Sequence, residues 1–232
     1  IMTSTRDIQR RLIARGYNVG ATGADGVFGR NTIEAIKKFQ ADQKLDIRYP
    51  GTIGPKTLAA LGFGEKAEET LLPPWVAEAL RKKGLHERLN NAELRAYLKS
   101  DGQTLGDPAL LPWCGDLMET VIALTLPREP MIENPYWARN WLKFGVSVSI
   151  DMPVMGAIGV VERPGGGGHV FIIVGHDKTH WHALGGNQKD GISIVKIAKD
   201  RTLGVRFPST YALPSKVLKT STFTGAVSTN EA

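Results

Sequence analysis

The chain has 232 residues, 42% of them hydrophobic and 22% charged, which is enough apolar side chain for one or two packed domains. No apolar run approaches the ~20 residues of a membrane helix, so membrane insertion is not expected, and a lone cysteine excludes an internal disulfide. The net charge of +6 is uneven: residues 1–64 carry +5 and the rest only +1. A basic N-terminal unit suits a polyanion, but neither an aromatic RNA-binding sheet nor a helix-turn-helix reading head is present, so nucleic acid is not an expected partner. A charged amphipathic segment begins at once, and no secretory leader is expected.

In chain order, Ile8, Leu12 and Ile13 predict a helical stripe ending near Gly16. A glycine-rich turn, Gly23 to Gly29, leads to a second helix from Asn31 or Thr32 with Ile33, Ile36, Phe39 and Gln40 on repeating faces. The order apolar, Gly, two residues, Thr occurs twice, in Phe28-Gly29 to Thr32 and in Ile53-Gly54 to Thr57. Each threonine is placed to cap or support a helix start. Charge and glycine in 62–70, closed by Pro73-Pro74, predict a linker over 63–72. Helices follow from Trp75 to Gly84 and from Asn91 to Leu98.

Pro112-Trp113-Cys114 opens a further helix, with Leu117, Met118, Val121, Ile122 and Leu124 or Thr125 on one buried face and Pro127 as its stop. A thiol there feels the positive end of the helix dipole, which favours thiolate, and the free N–H groups beside it can hold an oxyanion. An inert buried cysteine is the competing reading. Tyr136 to Phe144 predicts a short aromatic helix stopped by Gly145. Strands are expected over 157–162, 169–174, 180–184, 192–196 and 205–207, forming an antiparallel sheet. Helices first and strands afterwards predict an α+β fold.

His169 opens the second of these strands after a run of glycines, and a lone Cys with such a His is the pattern of Cys–His nucleophilic catalysis. A third polar group should fix the imidazole tautomer. Asn187, after Gly185-Gly186, is favoured over His182, with Gln188 as a supporting residue. A zinc reading through His176, His180 and His182 is weaker, because no HExxH-type helical pair exists; no metal and no cofactor are expected. A binding module without activity would follow if Cys114 lay buried away from His169.

Asp25-Gly26-x-Phe28-Gly29-x-x-Thr32-x-x-Ala35-x-x-x-Phe39-Gln40, followed by Gly51-x-Ile53-Gly54-x-x-Thr57-x-x-x-Leu61, closely resembles the three-helix peptidoglycan-binding domain found beside many cell-wall hydrolases. That resemblance implies attachment to peptidoglycan by residues 1–62, with Tyr17, Asp25, Phe28, Arg30 and Asn31 as candidate contacts. The order of Cys114 helix and Gly168-His169-Val170 strand resembles the papain-like NlpC and CHAP peptidoglycan hydrolases. So do Pro73-Pro74-Trp75, Ala138-Arg139-x-Trp141, Leu184-Gly185-Gly186-Asn187-Gln188 and Arg206-x-Pro208. The sequence departs from the pattern at Gly115-Asp116-Leu117 and at Gly156-Ala157-Ile158.

The second resemblance implies a papain-like α+β domain over 73–214, and the Ser, Thr and Ala content beyond Pro214 predicts a flexible tail over 215–232. The resemblance further implies a cysteine hydrolase that cuts an amide or peptide bond of the stem peptide, as amidase or endopeptidase, with Cys114, His169 and Asn187 as its catalytic set. A monomeric phage or prophage endolysin is the expected setting. It would be made in the host cytoplasm and act on the wall after release. A contact-delivered antibacterial toxin is the alternative.

Overall fold

The computed structural model describes residues 3–64 and 71–228. The middle of the expected linker, 65–70, and the end of the expected tail, 229–232, lie outside them. Ser4 starts α1 (Thr5–Ile13) through a capping box with Asp7. α2 spans Arg30–Asp42 and α3 Pro55–Ala60. Ile8, Leu12, Ile33, Ile36, Phe39, Leu58 and Leu61 share one core, whereas Ile13, expected in the stripe, is 44% exposed.

The repeated Gly–Thr spacing has a physical basis. Gln9 on α1 accepts from Gly26 N–H at 2.7 Å and donates to Asp25, Val27 O and Thr32 Oγ1. Gln40 on α2 accepts from Gly51 N–H at 2.8 Å and donates to Thr52 O and Thr57 Oγ1. In both turns one buried amide ties a glycine of positive φ, +85° at Gly26 and +92° at Gly51, to a threonine six residues on. The helix N-caps are Gly29 and Gly54 without side-chain caps, so the threonines support the turns rather than cap the helices.

The second core gathers α4 (Pro74–Arg81), α5 (Asn91–Leu98), α6 (Cys114–Thr125), a 3-10 turn at Ala138–Lys143 and a sheet. The seven strands are β1 (Val146–Ser147), β2 (Ile158–Glu162), β3 (Gly168–His176), β4 (His180–Gln188), β5 (Gly191–Ala198), β6 (Thr202–Phe207) and β7 (Val227–Ser228). They lie in the order β1-β6-β2-β3-β4-β5-β7, with every pair antiparallel except β5–β7. The mixture of helices and one sheet is an α+β fold. Beyond the five expected strands, β1 and β7 are two-residue additions at the edges, and β7 joins part of the segment expected as a loose tail to the sheet. The stretch Gly185 to Gln188, beyond the expected end of that strand at Leu184, continues β4.

Hydrogen bonds among the described residues cross from the first unit to the second. Tyr211 donates its hydroxyl to Ile53 O at 3.1 Å, and Arg128 donates to Pro50 O.

Candidate active site

Cys114 is the first residue of α6, and the next residue, Gly115, lies against the Pro135–Tyr136 backbone. A Cβ on Gly115 would stand 2.3 Å from Pro135 O, so only glycine lets that backbone pass the helix start. Trp141 holds Pro135 there by donating its indole N–H to Pro135 O at 2.8 Å. On the other side Trp113 donates to buried Glu87 at 2.9 Å, and its ring lies so near β4 that a Cβ on Gly186 would be 2.5 Å from it. The nucleophile candidate is therefore fixed from both flanks by aromatic side chains anchored through their N–H groups.

The thiol is 4% exposed. Burial pushes its pKa up, against the pull of the backbone N–H groups of Val170, Gly115 and Cys114 itself and of the Arg163 guanidinium. The helix N-terminus thus acts in the expected direction, but desolvation of the sulfur outweighs it. The Val170 contact locates it: that amide belongs to the residue after His169 on β3, so Cys114 is buried beside the strand start that carries the candidate base.

His169 is completely buried and lies nearly parallel to Phe171, with centroids 5.9 Å apart. Its Nε2 is 3.0 Å from Gln188 Oε1. The amide of Gln188 can face only one way, since its Nε2 donates to Ala183 O at 3.2 Å and Ser193 O at 2.7 Å. Oxygen must then point at the imidazole, and the proton of neutral His169 sits on Nε2. Nδ1 is left with its lone pair, the state a general base requires.

A bulge brings Gln188 to this place. Gly185 pairs with Ser193 and Gln188 with Gly191, so β4 carries one residue more than β5 between the two pairs. Asn187 occupies the bulge at φ +56° and is buried. Gln188, expected as a supporting residue, contacts the imidazole nitrogen, and Asn187 stands next to it, buried in the bulge. His182 pairs with Gly175, six residues along β3 from His169 or about 20 Å. It belongs to another group of charges, 3.9 Å from Asp177 and packed on Phe223.

His176 is bonded to Leu218 O and Lys199, and His180 faces Asp177 at 3.6 Å. Among the described residues no three His, Cys, Asp or Glu side chains converge to hold a metal.

Of the candidate wall contacts, Phe28 is core and the Asp25 carboxylate is spent on Gln9, Thr22 and Val27 N–H. Tyr17 bonds Asp42, while Arg30 and Asn31 are exposed. Arg163 and the Trp113–Glu87 pair are the site features that sequence reasoning missed. An arginine just before a glycine run is the only signal the chain offers for the first.

Residues 3–61 match the family described as "Putative peptidoglycan binding domain". The chain is 37% identical over 67 residues to the N-acetylmuramoyl-L-alanine amidase CwlL of Bacillus licheniformis, covering 28% of this chain and 18% of that protein. It is 33% identical over 70 residues to a "Probable N-acetylmuramoyl-L-alanine amidase" of the same organism, covering 30% of this chain and 19% of that protein. The chain thus spans less than a fifth of the length of these relatives, and each matched stretch is too short to include the whole sheet unit. No solved structure matches the chain. Its N-terminal unit is similar to a peptidoglycan-binding domain, and peptidoglycan is the partner that this similarity supports.

Proposed function

We propose that the chain is a peptidoglycan hydrolase in which Cys114 attacks an amide or peptide carbonyl of the stem peptide with His169 as base. The observation that carries the reading is the Gln188 amide, whose two backbone acceptors turn its oxygen to His169 Nε2 and leave Nδ1 basic. His169 takes the thiol proton as Sγ bonds to the carbonyl carbon. The backbone N–H groups at the start of α6 stabilise the oxyanion, and the imidazolium passes its proton to the leaving amine. Water, deprotonated by His169, then opens the thioester and frees the acid. The papain-like resemblance of 73–214 and the wall-binding similarity of the N-terminal unit support the same reading, with Gln188 orienting the imidazole and Asn187 beside it in the bulge completing the catalytic set.

Purified walls test it. The unsubstituted chain should release soluble fragments, and Cys114→Ala should abolish release; turnover by Cys114→Ala at near the parent rate sinks the mechanism. Iodoacetamide should inactivate slowly, because the sulfur is shielded, and EDTA should leave activity intact. Mass spectrometry of the fragments then assigns the bond: a free lactyl group on muramic acid marks an amidase, and a new amine within the stem marks an endopeptidase. A wall-binding unit joined to a wall-cutting unit suits a phage or prophage endolysin, for which a membrane-permeabilising protein encoded nearby is the expected companion. A secretion cluster with an inhibitor gene in that place would assign the chain to a delivered toxin instead.

A further inference from the structure

The last described stretch of the chain, 218–228, folds back over the end of the sheet remote from His169, and hydrogen bonds hold it there at successive points. Leu218 donates its N–H to Pro153 O at 2.8 Å, and Ser221 donates to His176 O at 2.9 Å. The N–H of Lys196 on β5 donates to Ala226 O at 2.9 Å, after which β7 runs beside Lys196 and Ile197. Between these bonds the Phe223 ring lies on His182, with centroids 5.0 Å apart.

Two histidines lie under this stretch. Lys199, just beyond β5, donates its ammonium to His176 Nδ1 at 2.9 Å and to Asp177 O at 2.7 Å. An ammonium only donates, so Nδ1 accepts, and the ring proton on Nε2 donates to Leu218 O at 2.9 Å. His182 is buried beneath Phe223, so close to β3 that a Cβ on Gly175 would stand 2.6 Å from its Nδ1. Its Nε2 makes no hydrogen bond among the described residues. The charged and titratable groups that face it are Asp177 at 3.9 Å, from the β3–β4 turn, Lys196 from β5 and His176 from β3. Asp177 is already engaged by Lys196 at 2.8 Å and by the N–H groups of Thr179 and His180, with the His180 ring at 3.6 Å. Desolvation holds the His182 pKa below its ordinary value, and Lys196 and His176 push the same way against the pull of Asp177.

We propose that 218–228 is a strap released by acid: protonation of His182 drives Phe223 off the ring, and the strap lifts from the end of the sheet. A histidine held below its ordinary pKa contributes fully to the closed strap above the open-state value of about 6.5, and that contribution is lost as pH falls towards the closed-state one. The strap also reaches the first unit. Leu218, which accepts from His176, lines a cavity of about 480 Å3 together with Ile53, Pro55 and Leu58, and the segment leading into the strap carries the Tyr211 hydroxyl that bonds Ile53 O. Closed, the strap holds the two units docked; lifted, it lets them part.

The experiment is hydrogen exchange of the full chain at pH 7.5, 6.5 and 5.5, corrected for intrinsic rates and read by NMR at the amides of Lys196, Leu218 and Ser221. Their protection should fall about fivefold or more between pH 7.5 and 5.5, while amides of β2 and β3 keep theirs. His182→Gln removes the titrating ring and should make the protection equal at all three pH values. Phe223→Ala should lower it at all three, with the uncovered His182 ring titrating near its ordinary value. Small-angle scattering should show the radius of gyration of the parent rising over the same interval, and that of Phe223→Ala already raised at pH 7.5. Protection that stays constant in the parent, or falls equally in His182→Gln, overturns the strap. Loss of protection in β2 and β3 at the same pH means that the whole unit unfolds, and overturns it as well. A constant radius of gyration in the parent overturns the hold on the first unit.

Discussion

Replacing Gln188 by Glu tests the tautomer argument where it is most exposed to error. The two side chains have nearly the same shape, so one glutamate oxygen would take the place of Oε1, 3.0 Å from His169 Nε2. The other would face Ala183 O at 3.2 Å and Ser193 O at 2.7 Å, where an N–H now donates. An ionised carboxylate cannot face two carbonyl oxygens in a buried site, so the carboxyl stays protonated and donates to Ser193 O. Its folded pKa is thereby raised above the unfolded value of about 4.3. An acid raised in this way contributes its full stability below the unfolded pKa and loses it as pH climbs toward the folded one. The slope is about 1.4 kcal/mol per pH unit, so the variant should lose about 3 kcal/mol against the parent between pH 5 and pH 7. Urea denaturation of both proteins at those two pH values reads this directly. Wall turnover by the variant should fall over the same interval. A stability difference that does not change with pH would mean that the carboxylate stays ionised against His169, and that the Ala183 and Ser193 carbonyls do not dictate the side chain's orientation and proton.

Three further outcomes follow from the packing. Burial and the neighbouring Asp101 raise Glu119 to about 9, so the parent should lose stability as pH rises from about 4.5 towards 9. Glu119→Gln should flatten that decline, as measured by denaturation at pH 5, 7 and 9. Gly186→Ala puts a Cβ 2.5 Å from the Trp113 ring, which should cost about 1–3 kcal/mol and lower turnover by displacing the residue beside Cys114. Gln40→Leu leaves Gly51 N–H and Thr52 O without their partner and should cost about 2–4 kcal/mol, read as a lower melting temperature of the N-terminal unit.

Local periodicity made most of the fold legible. The apolar face of α6 reads directly as Leu117, Met118, Val121 and Ile122, all buried, and the short β-branched runs mark β2 and β3. The two-residue strands β1 and β7 carry no pattern of their own, because their pairing depends on partners tens of residues away. At the site, Cys114 and His169 are legible as residue types. Their electrostatic balance is not, since the dipole of α6 is written in the sequence while the shell that desolvates the thiol is assembled from β3 and its surroundings. Which of Asn187 and Gln188 reaches His169 depends on strand phase. A Gly-Gly-Asn stretch reads equally as a turn or as a bulge, and the two place residue 188 differently.

The extra residue in β4 puts chemistry and sheet regularity in opposition. Deleting Asn187 would bring β4 and β5 into unbroken register and remove a non-glycine residue from a left-handed conformation, changes that ordinarily favour a sheet. The same deletion would rotate everything beyond it by half a pleat and carry the Gln188 amide away from the imidazole. In a shortened chain of that kind a better-formed strand should come with loss of the Gln188–His169 contact, so selection for thermal stability alone would drift toward it.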